Sequence, residues 1–328
     1  MTAILTTLLL SAIFCGLYQQ FAQTRKFLDV PNERSSHLHP TPSGGGVALL
    51  SAFTLGLLFS AILYGAWDES FVALSVAALV LMVLGIFDDL QGLSVRLRLL
   101  LYSVICLLLA AFILHGVETE STLRAWTLVL LAALALLWSL NLYNFMDGID
   151  GLAALQTVLA SCSAALLSWV TGHGDHYALF CLLLAAAHCG FLVWNCPPAR
   201  LFMGDAGSVP TGFLLAALAL IGAQQGLLNP LCWFVLLAVF ITDATWTLAW
   251  RMVSGQSFTQ PHQSHAYQRL SRYWGSHLRV DMLLFAINTL WLLPLASAVQ
   301  IWPDRSVFLV ILAYLPLLCG MAKVGRLA

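Results

Sequence analysis

Residues 141–151 read NLYNFMDGIDG, and this stretch lies between two long apolar runs. It carries two carboxylates, Asp147 and Asp150, and two side-chain amides, Asn141 and Asn144. Only 9% of the residues in the chain are charged, so this concentration of polar oxygen atoms beside an apolar run requires a reason. Carboxylate and amide oxygens are the ligands that Mg²⁺ and Mn²⁺ prefer. The stretch therefore predicts metal or phosphate chemistry, with an ordinary Asx turn as the alternative.

The chain around this stretch has the composition of a membrane protein. Hydrophobic residues make up 60% of its 328 residues, and its mean hydropathy is +0.88. Apolar runs near the ~20 residues that cross a bilayer predict an all-α, polytopic helical bundle of about eleven spans, forming one domain over residues 1–328. The expected spans are 4–21, 47–65, 71–87, 99–115, 126–140, 152–170, 177–194, 210–222, 230–250, 282–299 and 306–321.

The positions of the basic residues predict the orientation of the bundle, because Lys and Arg favour cytoplasmic loops. With the N-terminus outside and the C-terminus in the cytoplasm, only Arg124 and Arg305 of the 14 basic residues lie outside. We therefore expect the polar segments to face the cytoplasm. The formal net charge of −1 says little about partners, and no nucleic acid partner is expected.

A pair of aspartates, Asp88 and Asp89, ends the third expected span, and Arg98 follows shortly after. Adjacent carboxylates repel each other at a bilayer edge, so they usually need a cation or a proton beside them. Capping of a helix end with an arginine partner is the alternative. Arg98 is also suited to an anionic ligand, since a guanidinium group pairs with phosphate through two parallel hydrogen bonds.

The segment NCPPARLFMGDAGSVP, residues 195–210, offers Asp205 between two glycines and just before the expected span 210–222. Phe202 is its one aromatic residue, which predicts either a platform for stacking a base or an anchor at the membrane interface.

An earlier segment, PTPSGGG, ends in three glycines that allow close approach of the backbone to a phosphate or to another helix.

The longest cytoplasmic segment, residues 255–281, contains His262 and His265, three positions apart and on one face if helical. Phosphate contact or proton transfer fits these histidines best, and an amphipathic interfacial helix is the alternative for this segment.

Two polar residues fall inside expected spans. Asp243 is expected to be functional or paired with Arg251 or the histidine segment, and His188 is expected to be a hydrogen-bonded residue of the bundle.

Five ordered segments together resemble the polyprenyl-phosphate N-acetylhexosamine-1-phosphate transferases, known as glycosyltransferase family 4. These segments are LDVPNERSSH with PTPSGGG, FDDLQGLSVRLR, NLYNFMDGIDG, NCPPARLFMGDAGS, and HQSHAYQRL after DATWTLAWR. The resemblance implies transfer of N-acetylhexosamine-1-phosphate from a UDP-sugar to undecaprenyl phosphate. The products are undecaprenyl-diphosphate-sugar and UMP. It also implies a multi-pass protein of the bacterial inner membrane, in contact with membrane lipid and with its active site on the cytoplasmic face.

The resemblance assigns roles residue by residue. It implies Mg²⁺, with Mn²⁺ as a substitute, held by Asp205 and Asn144. It places Phe202, Asp150 and Asn141 at the nucleotide, and Arg98, His262 and His265 at phosphate. Asp88, Asp89 and Asp147 are its catalytic candidates. Which of them acts as a base stays open, because a lipid phosphate is already largely ionised near neutral pH if its second pKa is about 6.

The sequence departs from the family pattern at Gln263, where we expect an arginine, and this predicts that Arg269 takes over a diphosphate contact. The absence of a triple-histidine pattern favours the branch that initiates O-antigen or capsule over the peptidoglycan branch. The donor is then UDP-N-acetylfucosamine, UDP-N-acetylquinovosamine or UDP-N-acetylglucosamine. Another envelope polymer (enterobacterial common antigen, teichoic acid or a peptidoglycan precursor), a cation-coupled transporter and a homodimer stay open as alternatives.

Overall fold

The computed structural model describes residues 1–31, 39–117, 121–170, 175–256 and 262–325. Of these residues, 81% are helical, as the composition predicts. The helices are α1 Thr2–Arg25, α2 Gly46–Tyr64, α3 Glu69–Gln91, α4 Val95–Ile113, α5 Thr122–Met146, α6 Leu152–Val170, α7 Asp175–Asn195, α8 Asp205–Gln224, α9 Pro230–Leu236, α10 Ala238–Val253, α11 Ala266–Trp274, α12 His277–Ile287, α13 Leu293–Ile301 and α14 Ser306–Val324.

The number of membrane spans agrees with the prediction. Ten helices in the described parts of the chain are long and apolar enough to cross a bilayer, and α12 continues through a π-helical turn, Asn288–Leu292, into α13 as one span. The pair α9 and α10 makes an eleventh span if its two helices cross together, with a bend of 72° between them. The apolar stretch expected as a span over residues 230–250 is thus divided between two helices.

Helix α8 lies at the centre of the bundle. Its side chains are the most buried of any span, and it packs against α3 and α5. Phe213, Leu214 and Leu218 on α8 are completely buried. By contrast, α1 and α14 expose a large apolar surface, as helices in contact with lipid do. The span expected over residues 210–222 is too short, because α8 begins at Asp205 and runs to Gln224.

Glycines bring the backbones of three helices together at the start of α8. A Cβ atom on Gly46, the first residue of α2, would collide with the backbone of Gly207 on α8. A Cβ atom on Gly85 of α3 would lie 2.6 Å from the backbone of Ala206. Gly46, the last glycine of PTPSGGG, thus serves close helix packing, one of the two uses predicted for these glycines.

The polar segments have little regular structure of their own. Two short strands, β1 Leu28–Asp29 and β2 Thr41–Pro42, pair antiparallel in the polar segment between α1 and α2. Residues 32–37 of the predicted motif LDVPNERSSH lie outside the described residues. Among the described residues of the segment 255–281, α11 is the one independent helix, and α12 already belongs to the next span.

The two polar residues inside spans are both hydrogen-bonded, as expected. His188 on α7 is fully buried, and its ring nitrogens lie 2.9 Å from Leu184 O and 3.2 Å from Thr211 Oγ1. Asp243 on α10 contacts the histidine segment, with its Oδ1 3.1 Å from Nδ1 of His265.

Candidate active site

The first turn of α8 is capped by a carboxylate from α3. Gly204 precedes the helix with φ 72°, a left-handed conformation that suits glycine. Asp89 then accepts hydrogen bonds from the backbone N–H groups of Asp205 and Ala206, at 3.1 and 3.2 Å. These N–H groups have no partner within their own helix, and the N-terminus carries partial positive charge. Asp89 therefore fixes the position at which Asp205 begins α8.

Asp205 lies between an amide from α5 and a guanidinium group from α4. Asn144 donates from Nδ2 to Asp205 Oδ1 at 2.7 Å and to Ser208 Oγ at 3.0 Å. Arg98 donates from Nη1 to Asp205 Oδ2 at 3.2 Å and also pairs with Asp88. The structure thus brings together five of the predicted residues, from four helices, at the start of α8: Asp88, Asp89, Arg98, Asn144 and Asp205.

A cavity of about 1070 Å³ opens beside this cluster. Its lining contains six of the eleven predicted site residues, which are Asp89, Asn144, Asp147, Asp150, Phe202 and Asp205. The other five are not among the described lining residues, namely Asp88, Arg98, Asn141, His262 and His265. Apolar residues such as Phe21, Val47 and Ile86 also line it. The cavity therefore combines carboxylates with an apolar wall at the level of the helix ends.

Asp88 and Asp89 have different environments although they are adjacent in sequence. Asp88 is buried, accepts a hydrogen bond from Leu93 N at 2.7 Å and pairs with Arg98. Asp89 is exposed and lines the cavity. The predicted alternative of helix-end capping with an arginine partner describes Asp88, whereas Asp89 faces the space where a substrate would lie.

Asp147 follows directly after α5 and lines the same cavity. Burial raises the pKa of its carboxyl group to about 7, and the negative charge of Asp89 contributes to the shift. A group with this pKa exchanges a proton near neutral pH. Asp147 is therefore a lining carboxylate whose charge responds to pH near neutrality.

Asp150 connects two loops that border the cavity. Its Oδ2 accepts from Ala199 N at 3.0 Å and lies 3.2 Å from Nδ1 of His277. Next to it, Asn195 accepts from Gly151 N at 3.0 Å and donates to Leu201 O at 2.9 Å. The sequence analysis missed both His277 and Asn195. Each is a polar residue at the end of an apolar helix, which is a weak signal when nothing in the sequence indicates its partner.

Phe202 is held by backbone hydrogen bonds to the segment before α2. Its N–H donates to Pro42 O, and its carbonyl accepts from Gly45 N, both at 2.8 Å. The residue is half-buried on the cavity lining, so it has access to a planar ligand. Lys26 and Gln268 also line the cavity and were not singled out from the sequence.

The two histidines lie before α11, with His265 as its N-cap residue, so the condition for a shared helical face is not met. Their ring centroids nevertheless lie 5.0 Å apart. Burial lowers the pKa of His262 to about 4, and proximity to His265 adds to the effect. His262 is therefore neutral at neutral pH. Its Nδ1 lies 2.9 Å from Ser264 Oγ.

Asn141 and Arg269, which were predicted to contact the nucleotide and the diphosphate, donate hydrogen bonds to backbone carbonyl groups of the protein instead. Asn141 donates from its amide nitrogen to Leu137 O in its own helix, at 2.7 Å. Arg269 donates to Ser264 O at 3.1 Å and to Gly325 O at 2.9 Å, while Arg272 donates to the Gln263 side chain at 2.6 Å. Arg272 thus lies beside Gln263, the position at which the sequence lacks its expected arginine.

The residues around Asp205 fit Mg²⁺ with few protein ligands. The described residues contain no group of three or more His, Cys, Asp or Glu side chains placed to hold a metal ion. Mg²⁺ commonly takes only one or two carboxylates, together with waters and substrate phosphates. Asp205 and Asn144 are adjacent hard-ligand residues on the cavity lining, and a flip of the amide would present the Asn144 oxygen.

Comparison with known proteins identifies relatives along most of the chain. Residues 71–223 match the glycosyl transferase family 4 profile. The decaprenyl-phosphate N-acetylglucosaminephosphotransferase of Mycobacterium tuberculosis is 31% identical over 86% of this chain and 78% of its own length. A probable undecaprenyl-phosphate N-acetylglucosaminyl 1-phosphate transferase of Bacillus subtilis is 26% identical, over 96% of this chain and 90% of its own length. A phospho-N-acetylmuramoyl-pentapeptide-transferase of Halalkalibacterium halodurans is 26% identical, over 91% and 98% respectively.

Proposed function

Because this chain belongs to glycosyl transferase family 4 and is an integral membrane phosphotransferase acting on a polyprenyl phosphate, we propose that it transfers N-acetylhexosamine-1-phosphate from a UDP-sugar to undecaprenyl phosphate. The products are undecaprenyl-diphosphate-sugar and UMP. The relatives are transferases, so the alternative of a cation-coupled transporter has no support from them.

One observation carries the proposal. Asp89, Asp147 and Asp205 line a single cavity together with Phe202 and an apolar wall. A substrate with a diphosphate, a planar base and an acceptor lipid needs these three kinds of surface side by side. The volume of about 1070 Å³ is at the upper end of small-molecule sites, which suits a nucleotide-sugar beside a lipid phosphate.

Mg²⁺ would be held by Asp205 and Asn144, where it would neutralise the diphosphate and the developing charge on UMP. Arg98 contributes by pairing with Asp205 and Asp88, so that the cluster carries less net negative charge when a diphosphate approaches. His262, being neutral, would approach phosphate as a hydrogen-bonding group and not as a cation. Phe202 would stack on uracil, and Asp150 would hold the neighbouring loop.

The transfer itself is a displacement at the β-phosphorus of the donor. An oxygen of the lipid phosphate forms the new P–O bond, and the bond from the β-phosphorus to the bridging oxygen breaks with its electron pair going to UMP. The lipid phosphate is largely ionised near neutral pH, so Asp89 and Asp147 need only orient it or accept its residual proton. We propose that this displacement is direct and occurs in a single step.

The proposed setting is the cytoplasmic face of a bacterial inner membrane, with the N-terminus outside. The distribution of Lys and Arg in the sequence supports this orientation. We propose that the product starts an O-antigen or capsule repeat, with UDP-N-acetylfucosamine, UDP-N-acetylquinovosamine or UDP-N-acetylglucosamine as the donor. A role in another envelope polymer, peptidoglycan precursors included, stays open as the alternative.

The test is UMP release by the detergent-solubilised full-length protein. Undecaprenyl phosphate, Mg²⁺ and each UDP-N-acetylhexosamine in turn would be supplied, with Asp205→Asn as the matched inactive control. Release that requires both lipid and metal and that is lost in the variant is expected. The fastest donor would then identify the pathway. Folded protein that releases no UMP from any donor would refute the proposal.

A further inference from the structure

Asp243 is a buried carboxylate that the proposed mechanism does not use. It lies in the second turn of α10, the helix that follows the 72° bend, and only 3% of its surface is exposed. A charged side chain buried within a membrane bundle is costly unless it is fully paired. The hydrogen-bond partners of Asp243 therefore indicate which part of the protein it positions.

Three of the four hydrogen bonds to Asp243 come from the start of α11, which lies 22 to 24 positions further along the chain. The backbone N–H groups of Ala266 and Tyr267 donate to it at 2.9 and 3.0 Å, and Nδ1 of His265 lies 3.1 Å away. The fourth comes from Thr247 Oγ1 at 3.1 Å, within α10 itself. Since the first N–H groups of a helix lack partners of their own, Asp243 caps α11 from a different helix.

The contact also determines how His265 is oriented. Its ring is held from two sides, by Asp243 at Nδ1 and by a reciprocal capping box in which the His265 and Gln268 side chains each accept from the other residue's backbone N–H. The ring is buried and stacks against Tyr267 at 5.7 Å and Phe145 at 6.4 Å between centroids, so it has little freedom to turn.

Helix α11 contacts the lining of the cavity through two of its residues. The hydroxyl of Tyr267 donates to Phe145 O in the last turn of α5, at 2.9 Å. The same hydroxyl packs so closely on Gly148 that a Cβ atom there would collide with it. Asp147 lies between these two points, and Gln268 on α11 lines the cavity directly. A shift of α11 would therefore move two parts of the cavity lining.

We propose that Asp243 is a positioning residue for the transfer reaction. By capping α11 and fixing His265, it sets the placement of Gln268 and of the turn that carries Asp147. This inference rests on the proposed function for its catalytic consequence, whereas the placement of α11 is a property of the protein that can be measured without substrate.

The first experiment compares Asp243→Asn with Thr247→Val in the purified full-length protein. In Asp243→Asn, the side-chain NH2 group would face a backbone N–H donor of α11, so that two donors would oppose each other. Thr247→Val removes one hydrogen bond to Asp243 and leaves the hydrogen bonds between Asp243 and α11 in place. We expect kcat/KM for UMP release to fall at least about tenfold in Asp243→Asn, as when a group that orients a catalytic ligand is lost. It should stay within about twofold of the unaltered protein in Thr247→Val.

Amide hydrogen exchange provides the readout that does not depend on activity. In Asp243→Asn, peptides covering residues 265–270 should exchange faster while peptides from α3 and α8 do not change. Faster exchange throughout the protein with a lowered Tm would instead show a general structural role and would overturn the proposal. Asp243→Glu keeps the buried charge and serves as the second variant if the asparagine does not fold. Wild-type kcat/KM in the glutamate variant, with a misplaced carboxylate, would also count against the proposal.

A double-mutant cycle tests whether the effect passes through His265. In His265→Asn the side-chain nitrogen takes the place of Nδ1, so the tether to Asp243 is retained while the Nε2 edge is lost. Asp243→Asn should then cost clearly less in this background than in the unaltered protein. Equal costs would refute coupling through the histidine. If no donor yields UMP, the proposed function fails, and unchanged exchange at 265–270 in Asp243→Asn would separately refute the positioning role.

Discussion

Replacement of Gly85 by alanine tests whether the close approach of α3 and α8 sets the geometry of the site. Gly85 lies one turn before Asp89, and the Cβ atom of an alanine would lie 2.6 Å from three backbone atoms of Asp205 and Ala206. Ordinary van der Waals contact begins near 3.4 Å, so one helix must move by ~0.8 Å to relieve the collision. Neither helix can relieve it by turning a side chain, because the atoms opposite Gly85 belong to the backbone.

The displacement has a cost in activity and a cost in stability. A misplacement of about 1 Å near a reacting centre costs about 10²-fold in rate, so we expect kcat/KM for UMP release to fall between about 10-fold and 100-fold. Overpacking a buried site costs about 1–3 kcal/mol, which should lower the Tm. The hydrogen bonds from Asp205 N and Ala206 N to Asp89 are the contacts that the shift would lengthen.

The matched control is Gly320→Ala, a glycine in α14 with no atom within 4 Å of the position of a new Cβ. The control should keep its activity, and its Tm should hold or rise, because alanine is the better helix former by about 1 kcal/mol. Both variants would be assayed for UMP release and thermal unfolding in the same detergent. A kcat/KM for Gly85→Ala within about twofold of the unaltered protein would refute the reasoning.

Three further predictions concern the cavity lining. Asp205→Asn should abolish turnover while leaving the protein folded in the membrane, and near-normal UMP release would remove Asp205 as the metal ligand. Phe202→Ala should mainly raise the KM for the UDP-sugar, since stacking on a base contributes about 1–3 kcal/mol; an unchanged KM would return Phe202 to the role of an interface anchor. If ionised Asp147 is required, kcat/KM at limiting Mg²⁺ should rise with pH through about 7, the raised pKa of this group, because the inactive protonated form predominates below it. Higher Mg²⁺ should shift this rise of kcat/KM to lower pH, because a nearby cation favours the ionised carboxylate. A kcat/KM that does not change between about pH 6 and 8 would contradict the role of Asp147.

The sequence alone was sufficient to predict the membrane architecture and the segments that form the site. The length of an apolar run is a local property, and crossing a bilayer requires a nearly fixed number of helical residues. For this reason the prediction of about eleven spans agrees with the ten to eleven apolar helices of the described residues. The clustering of Asp205, Asn144 and Asp89 at one end of the bundle also followed from the order of the segments along the chain.

What each polar side chain contacts was decided only by the tertiary structure. Asp88 and Asp89 are adjacent, but successive residues of a helix point in directions about 100° apart, so one pairs with Arg98 while the other caps α8 and lines the cavity. The capping of α11 by Asp243 likewise joins groups from two helices. Such contacts depend on how closely the backbones approach and at what angle, and glycines at the helix crossings set that approach. Hydropathy and motif spacing describe the chain along one dimension and therefore leave these pairings undetermined.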